Sequence, residues 1–391
     1  MGAEGFRCRK TLNFKFLHWL TVLFPCPVWG KIGMLMPGEE INMKKRNLFF
    51  LLSITLIFTF LAAPVSYGAD PKPKVFNWKW QTYASPAADM FKLLKEAFGR
   101  LSVMTNGRLN ITIHPGNAIV PDPKIFDAIA DGVLQGTVGT MAFLAGKDPG
   151  YATIMQTMTG LFTQDWELGY WYYNYGGFQI VNEALAKVGC IQIALNAGKA
   201  PYEPIMSRKS LAHPSSFKGL KIRSLPGPST EILNALGASV IAIPGAEIYT
   251  SLSTGIIDAC EFVGFKENWD AGLHEVTKYV LFPAPHFFVG QRATIVGLKA
   301  WNTLPDDLKA ALQAAMKEYD LRDYYSTSGT QEIYQRKMKD HGLIFQSWTD
   351  EEWREVNALG RRLAEEWKKK SPLAKMVIES QIDMLKKLGR W

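Results

Sequence analysis

Two charged side chains, Arg223 and Glu261, stand out in an otherwise largely apolar stretch, residues 219–264. The pattern there reads strand, tight turn, helix, strand, helix, strand. Strands are expected over 220–223, 240–243 and 256–263. Pro226-Gly227-Pro228 forces the turn, because proline fixes φ and glycine accepts positive φ. Ser229 or Thr230 is placed to cap a helix ending at Gly237, and Gly255 closes a second helix over 247–254. In an open α/β sheet, ligands sit at the carboxyl ends of the strands. Arg223 and Glu261 fall at such ends. A guanidinium fork there would grip a carboxylate through paired charge-assisted bonds. The alternative for Arg223 is a surface salt bridge.

Other chemistries leave no mark. The chain has no GxSxG, GxxxxGK[ST], GxGxxG or HExxH. Five of its six histidines follow residue 69, none at metal-ligand spacing. His114, His274 and His286 read as ordinary partly buried or surface histidines. Cys190 and Cys260 form no CxxC and sit in apolar runs. They read as two buried thiols, with a single disulfide as the alternative.

Residues 125–134 recur as 248–257, an offset of 123 positions. Each copy is an amphipathic helix stopped by a glycine, with a strand soon after. The echo is either two ordinary helix-to-strand units or two α/β lobes of one plan with a cleft between them. Upstream, Met43-Lys44-Lys45-Arg46 is followed by an apolar run from Leu48 to Ala63 and small residues before Asp70. This is the pattern of a secretory signal peptide over 43–69, with cleavage after Gly68 or Ala69. The run is shorter than the ~20 residues a membrane span needs. Residues 1–42 have no coherent pattern and read as an over-called upstream extension. The formal net charge of +8 is therefore misleading. Residues 1–69 hold 8 basic and 3 acidic residues, and the remaining 36 basic and 33 acidic leave +3. So small an excess argues against a nucleic-acid partner.

Further elements are expected as follows. A strand covers 75–81, and a helix opens at Ser85-Pro86 with Ser85 as N-cap. Strands cover 109–114, 137–141 and 191–196, the last a candidate crossing between lobes. A helix spans 123–130. Another spans 165–185 and carries Trp166, Tyr170, Trp171, Tyr172, Tyr173 and Tyr175, rings for the core or for a cleft wall. A strand covers 293–298. A helix of over thirty residues starts at Pro305-Asp306 and is long enough to cross more than one domain. Thr349 and Glu352 form a capping box for the next helix, and a last helix covers 373–388.

Taken together, the chain resembles the DctP family, the solute receptors of TRAP transporters. The resemblance is carried by 106–109 (NGRL), the helix 125–132, 219–223 (GLKIR), 245–249 (GAEIY), 255–259 (GIIDA) and 261–264 (EFVG). It is closest to the branch that binds 2-oxo acids and related monocarboxylates. It implies a two-lobed α/β periplasmic binding protein fold, type II-like, with a long helix spanning both lobes. Lobe I would hold 70–195 plus about 285–330, lobe II would hold 196–284, and the helices of 331–391 would pack on the lobes. It also implies a periplasmic, non-catalytic receptor, monomer or dimer, that hands a small organic carboxylate to TRAP permease membrane subunits. An exported sensor for a signalling partner and an exported enzyme on the same scaffold are the alternatives. Arg223 matches the family's carboxylate-pairing arginine. Glu261 and the carbonyl of Phe262 match positions that hold a metal ion beside the substrate.

Two departures stand against that metal. The family's further acidic residue has no counterpart in 283–288 (PAPHFF), and its glutamine ligand falls where this chain has 199–203 (KAPYE) after Asn196-Ala197-Gly198. The expectation is a ligand site of Arg223, Glu261, Phe262, Asn196, Lys199 and Tyr83 that needs no cofactor, with the Lys199 ammonium standing where a cation would be; the alternative is a poorly coordinated cation held by Glu261 and Phe262.

Overall fold

The computed structural model describes residues 73–391 except 200–202, 225 and 287–289. The leader and upstream extension expected in 1–69 lie outside the described residues. Residues Pro73–Trp391 form one compact unit. Its strands are β1 (Phe76–Gln81), β2 (Leu109–His114), β3 (Gly136–Gly139), β4 (Cys190–Lys199), β5 (Ile205–Ser207), β6 (Lys221–Arg223), β7 (Ser239–Ile241), β8 (Ala259–Glu261), β9 (Tyr279–Leu281), β10 (Gly290–Gly297) and β11 (Ile344–Gln346). They build two sheets, ordered β2-β1-β3-β10-β4 and β11-β9-β5-β8-β6-β7.

Successive strand residues point to opposite faces, and both faces of both sheets are covered. On β5, β8 and β9, Ile205, Ala259 and Leu281 join one apolar cluster, while Met206, Cys260 and Val280 join another. The first sheet divides likewise: Leu195 and Ile295 serve one cluster, Ala194 and Val296 the other. Cys190 and Cys260 are free and buried, as the apolar runs around them imply. Burial pushes the Cys190 thiol up to about 12 and raises that of Cys260 as well, so neither is a ready nucleophile.

The helix Asp306–Asp340 spans both sheets. Leu308, Leu312, Ala315, Met316 and Tyr319 pack into the first sheet's core, and Met338 packs into the second's. Thirty-five residues at 1.5 Å each make a rod of about 52 Å. The Thr349 capping box forms in both directions: Thr349 Oγ1 accepts from Glu352 N, and Glu352 Oε2 accepts from Thr349 N. No helix among the described residues is long and apolar enough to cross a membrane.

Three local expectations are corrected. The first helix starts at Asp89 with Ala88 as N-cap, because Ser85 and Pro86 are spent in a preceding turn that Ala88 N closes onto Ser85 O. The helix after β6 is capped by Gly227, with Pro228 at its first position, so Ser229 and Thr230 are inside it. The span 165–185 is two helices, Asp165–Asn174 and Gly177–Ala186, broken where Gly176 turns to φ 80°. Trp171 and Tyr172 from this span are core residues, whereas Trp166 and Tyr173 are about half exposed.

Candidate ligand-binding site

β6 and β8 are parallel neighbours, so their carboxyl ends lie side by side. That places Arg223, the last residue of β6, beside Glu261, the last of β8. Both are buried, and Arg223 Nη1 lies 3.3 Å from Glu261 Oε1. Nη1 also donates to the Glu261 carbonyl at 2.7 Å, and Nε donates to the Ile243 carbonyl at 3.0 Å. Among the described residues, these three bonds use Nε and Nη1 and not Nη2. The guanidinium is 5.8 Å from the centre of the Phe262 ring. Arg223 is therefore no surface salt bridge. It is a buried cation held from behind by its own lobe.

The neighbouring strands bring two more groups. β5 runs antiparallel to β8 with Ile205 opposite Glu261, and β9 runs antiparallel to β5 with Leu281 opposite Ile205. The three strands thus end together. Glu203 stands two residues before Ile205, on the passage from β4 of the first sheet into the second. His286 stands five residues past Leu281, on the return from β9 to β10. One donor atom each from Glu203, Glu261 and His286 lie within 4.8 Å of one another. His286 is 1 % exposed, and neither ring nitrogen has a hydrogen-bond partner among the described residues. Burial, with the charge of Arg223 added, pushes its pKa down to about 3, so the ring is neutral. Just before it, the carbonyl of Pro285 accepts from Thr159 Oγ1 at 2.8 Å.

This corrects the expectation for His286, which is not an ordinary histidine. It also removes the main objection to a cation. The family's further acid was sought in 283–288, and a histidine stands there instead. Glu203 supplies a carboxylate from the other crossing. The donor set fits a cation: two carboxylates and one neutral imidazole on adjacent strand ends.

The first sheet contributes a second arginine that was not anticipated. Arg292 on β10 pairs with the largely buried carboxylate of Asp323 on the long helix. Burial works against its charge, but Asp323, Tyr83 and Tyr319 outweigh that and hold its pKa well above the ordinary value. Tyr83 is hydrogen-bonded to Arg292 and is 42 % exposed. Arg292 stands opposite Asn196 on β4. The side chains of Asn196 and Lys199 lie outside what is described; their backbones complete β4. Neither Glu203 nor Arg292 carries a motif. The one available signal was position: each lies within two or three residues of a strand end where the chain changes sheets.

Residues 81–370 match the model of DctP, the bacterial extracellular solute-binding proteins of family 7. A monocarboxylate 2-oxoacid-binding periplasmic protein of a Nostoc species is 28% identical over 245 residues, which cover 63% of this chain and 66% of that protein. A TRAP periplasmic solute-binding protein from Colwellia psychrerythraea, solved with calcium and pyruvate bound, superposes with a TM-score of 0.69 at 24% identity. That match covers 81% of this chain and 96% of the other. A TRAP periplasmic solute-binding protein from Pseudoalteromonas atlantica, solved with sodium and pyruvate bound, gives 0.69 at 23% over the same shares. At those identities the two solved structures speak for the fold. With the family model spanning well over half its length, this chain belongs to the DctP family of bacterial extracellular solute-binding proteins.

Proposed function

We propose that this protein is a receptor that captures a small organic acid, a 2-oxo acid or related monocarboxylate, for a TRAP-type permease. The observation that carries the reading is Arg223: a buried guanidinium, fixed through Nε and Nη1, with Nη2 outside those bonds. A ligand carboxylate docking on that nitrogen would complete a charge-assisted pair in a water-poor site. Phe262, Tyr83, Asn196 and Lys199 are the further contacts proposed around it. A cation held by Glu261 and its neighbours would add positive charge beside the ligand's carboxylate and oxo oxygens. The names of the Nostoc relative and of the two pyruvate-bound neighbours agree with this ligand class. Export from Met43, with cleavage after Gly68 or Ala69, belongs to the same reading, as does the absence of catalysis.

The test is mass spectrometry of the ligand released from protein purified without refolding, followed by titration calorimetry with the acid found. A small monocarboxylate bound one to one is expected. Turnover of that acid, or a bound ligand lacking a carboxylate, would refute the reading.

A further inference from the structure

We infer that Glu203, Glu261 and His286 form a mixed nitrogen–oxygen site that selects a zinc-like divalent ion over calcium or sodium. The inference rests on the receptor reading, because the ion would share the cleft with the acid.

The first reason is the donor set. Calcium takes six to eight oxygens and sodium sites are likewise built from oxygen, whereas imidazole suits the later first-row ions. Here one of the three gathered donors is a ring nitrogen. The second is the state of His286. A nearly fully buried ring with two unpartnered nitrogens pays a desolvation cost that the described residues do not offset. A bound ion would recover it, and the neutral ring has the lone pair to offer. The third is reach. Zinc sits ~2.0–2.2 Å from such nitrogen and oxygen donors in a tetrahedral shell, which sets neighbouring donors ~3.3–3.6 Å apart. The three donor atoms all lie within 4.8 Å of one another, so at most about 1.5 Å of adjustment brings each pair onto one ion. Three protein ligands leave a position open in a zinc shell. A 2-oxo acid offers adjacent carboxylate and oxo oxygens that can fill it, while Arg223 takes the rest of the carboxylate.

Both new ligands lie on the two β-crossings between sheets, Glu203 after β4 and His286 before β10. The ion would thus tie together the two passages that join the sheets.

The experiment uses purified protein stripped with chelator. Zinc chloride, calcium chloride and sodium chloride are titrated in turn by calorimetry, with and without pyruvate, and metal content is counted by mass spectrometry. Zinc is expected at one per chain, at least tenfold tighter than calcium, and pyruvate should tighten it further. His286→Gln replaces the ring by an amide oxygen and should abolish the zinc preference. Glu203→Gln, at a half-buried position, should weaken zinc at least tenfold and guards against a folding defect in the first variant. The proposal is overturned if wild-type protein binds calcium as tightly as zinc, or if both variants keep the wild-type zinc affinity. Pyruvate binding that ignores zinc would overturn it while leaving the receptor reading in place. Zinc held one to one and lost in His286→Gln, with no organic acid bound under any ion, would sustain the site and sink the receptor reading instead.

Discussion

In the first sheet β1 lies between β2 and β3, both parallel to it, and β10 runs antiparallel beyond β3. In the second, β6 lies between β7 and β8, both parallel to it, and β5 runs antiparallel beyond β8. The echo seen in sequence is this shared plan. The helices Ile125–Asp131 and Ile248–Thr254 each follow a short 3-10 turn, stop at a left-handed glycine and lead into β3 or β8. The two plans differ at their strand ends. β1 ends in Gln81 and β6 in Arg223. In the register of the echo, Val138 stands where Glu261 does. Gln81 is spent on its own lobe: its Oε1 accepts from Ile119 N and Val120 N, and its Nε2 donates to Val120 O and Asp122 Oδ1. Val138 is plain core. The first lobe has closed the strand ends that the second lobe leaves charged.

The largest test of that difference is Arg223→Ala. Truncating one partner of a buried charge pair costs about 2–5 kcal/mol, so affinity for the bound acid should fall about 30-fold or more. Arg223→Lys should fail too, since a point charge cannot reproduce the fork. Stability should drop alongside, because the carbonyls of Ile243 and Glu261 lose their donor. Titration calorimetry giving near-native affinity for Arg223→Ala would show that the charged end of β6 is structural only.

Gln81→Ala probes the closed end. It strips partners from Ile119 N, Val120 N and Val120 O at a fully buried position. We expect a loss of about 2–3 kcal/mol in denaturant unfolding, with ligand affinity within about threefold of wild type. A variant of unchanged stability that binds poorly would mean that the first lobe's strand ends also belong to the site.

What could be read from sequence followed the range of the interaction. The long helix, the Thr349 box and the two glycine-stopped helices are local, and each was legible because neighbours in sequence set it. Arg223 and Glu261 were legible as strand ends, since a lone charge after an apolar run has few other reasons to be there. The helix start at Asp89 was missed because a Ser-Pro pair reads equally well as a cap or as a turn, and tertiary context chose the turn. Glu203 and His286 were missed as partners because their meeting depends on the order β9-β5-β8, and β5 arrives from the other sheet. No spacing along the chain encodes that adjacency.

The smallest effect bears on whether the two matching glycines do the same job in the two lobes. Gly132 and Gly255 hold φ of 88° and 78°, the left-handed region that costs an L side chain about 1–2 kcal/mol. A Cβ at position 132 would meet nothing within 4 Å. A Cβ at 255 would come 2.8 Å from Arg208 Nη1, the far end of a flexible side chain that can swing aside. Gly132→Ala and Gly255→Ala should therefore each lower the unfolding free energy by about 1–2 kcal/mol. Asparagine at either position should recover part of the loss, because it tolerates the left-handed region better than alanine. Denaturant melts of the four variants supply the comparison. If one alanine is neutral while the other costs several kcal/mol, the two glycines do different jobs despite their matching places in the two sheets.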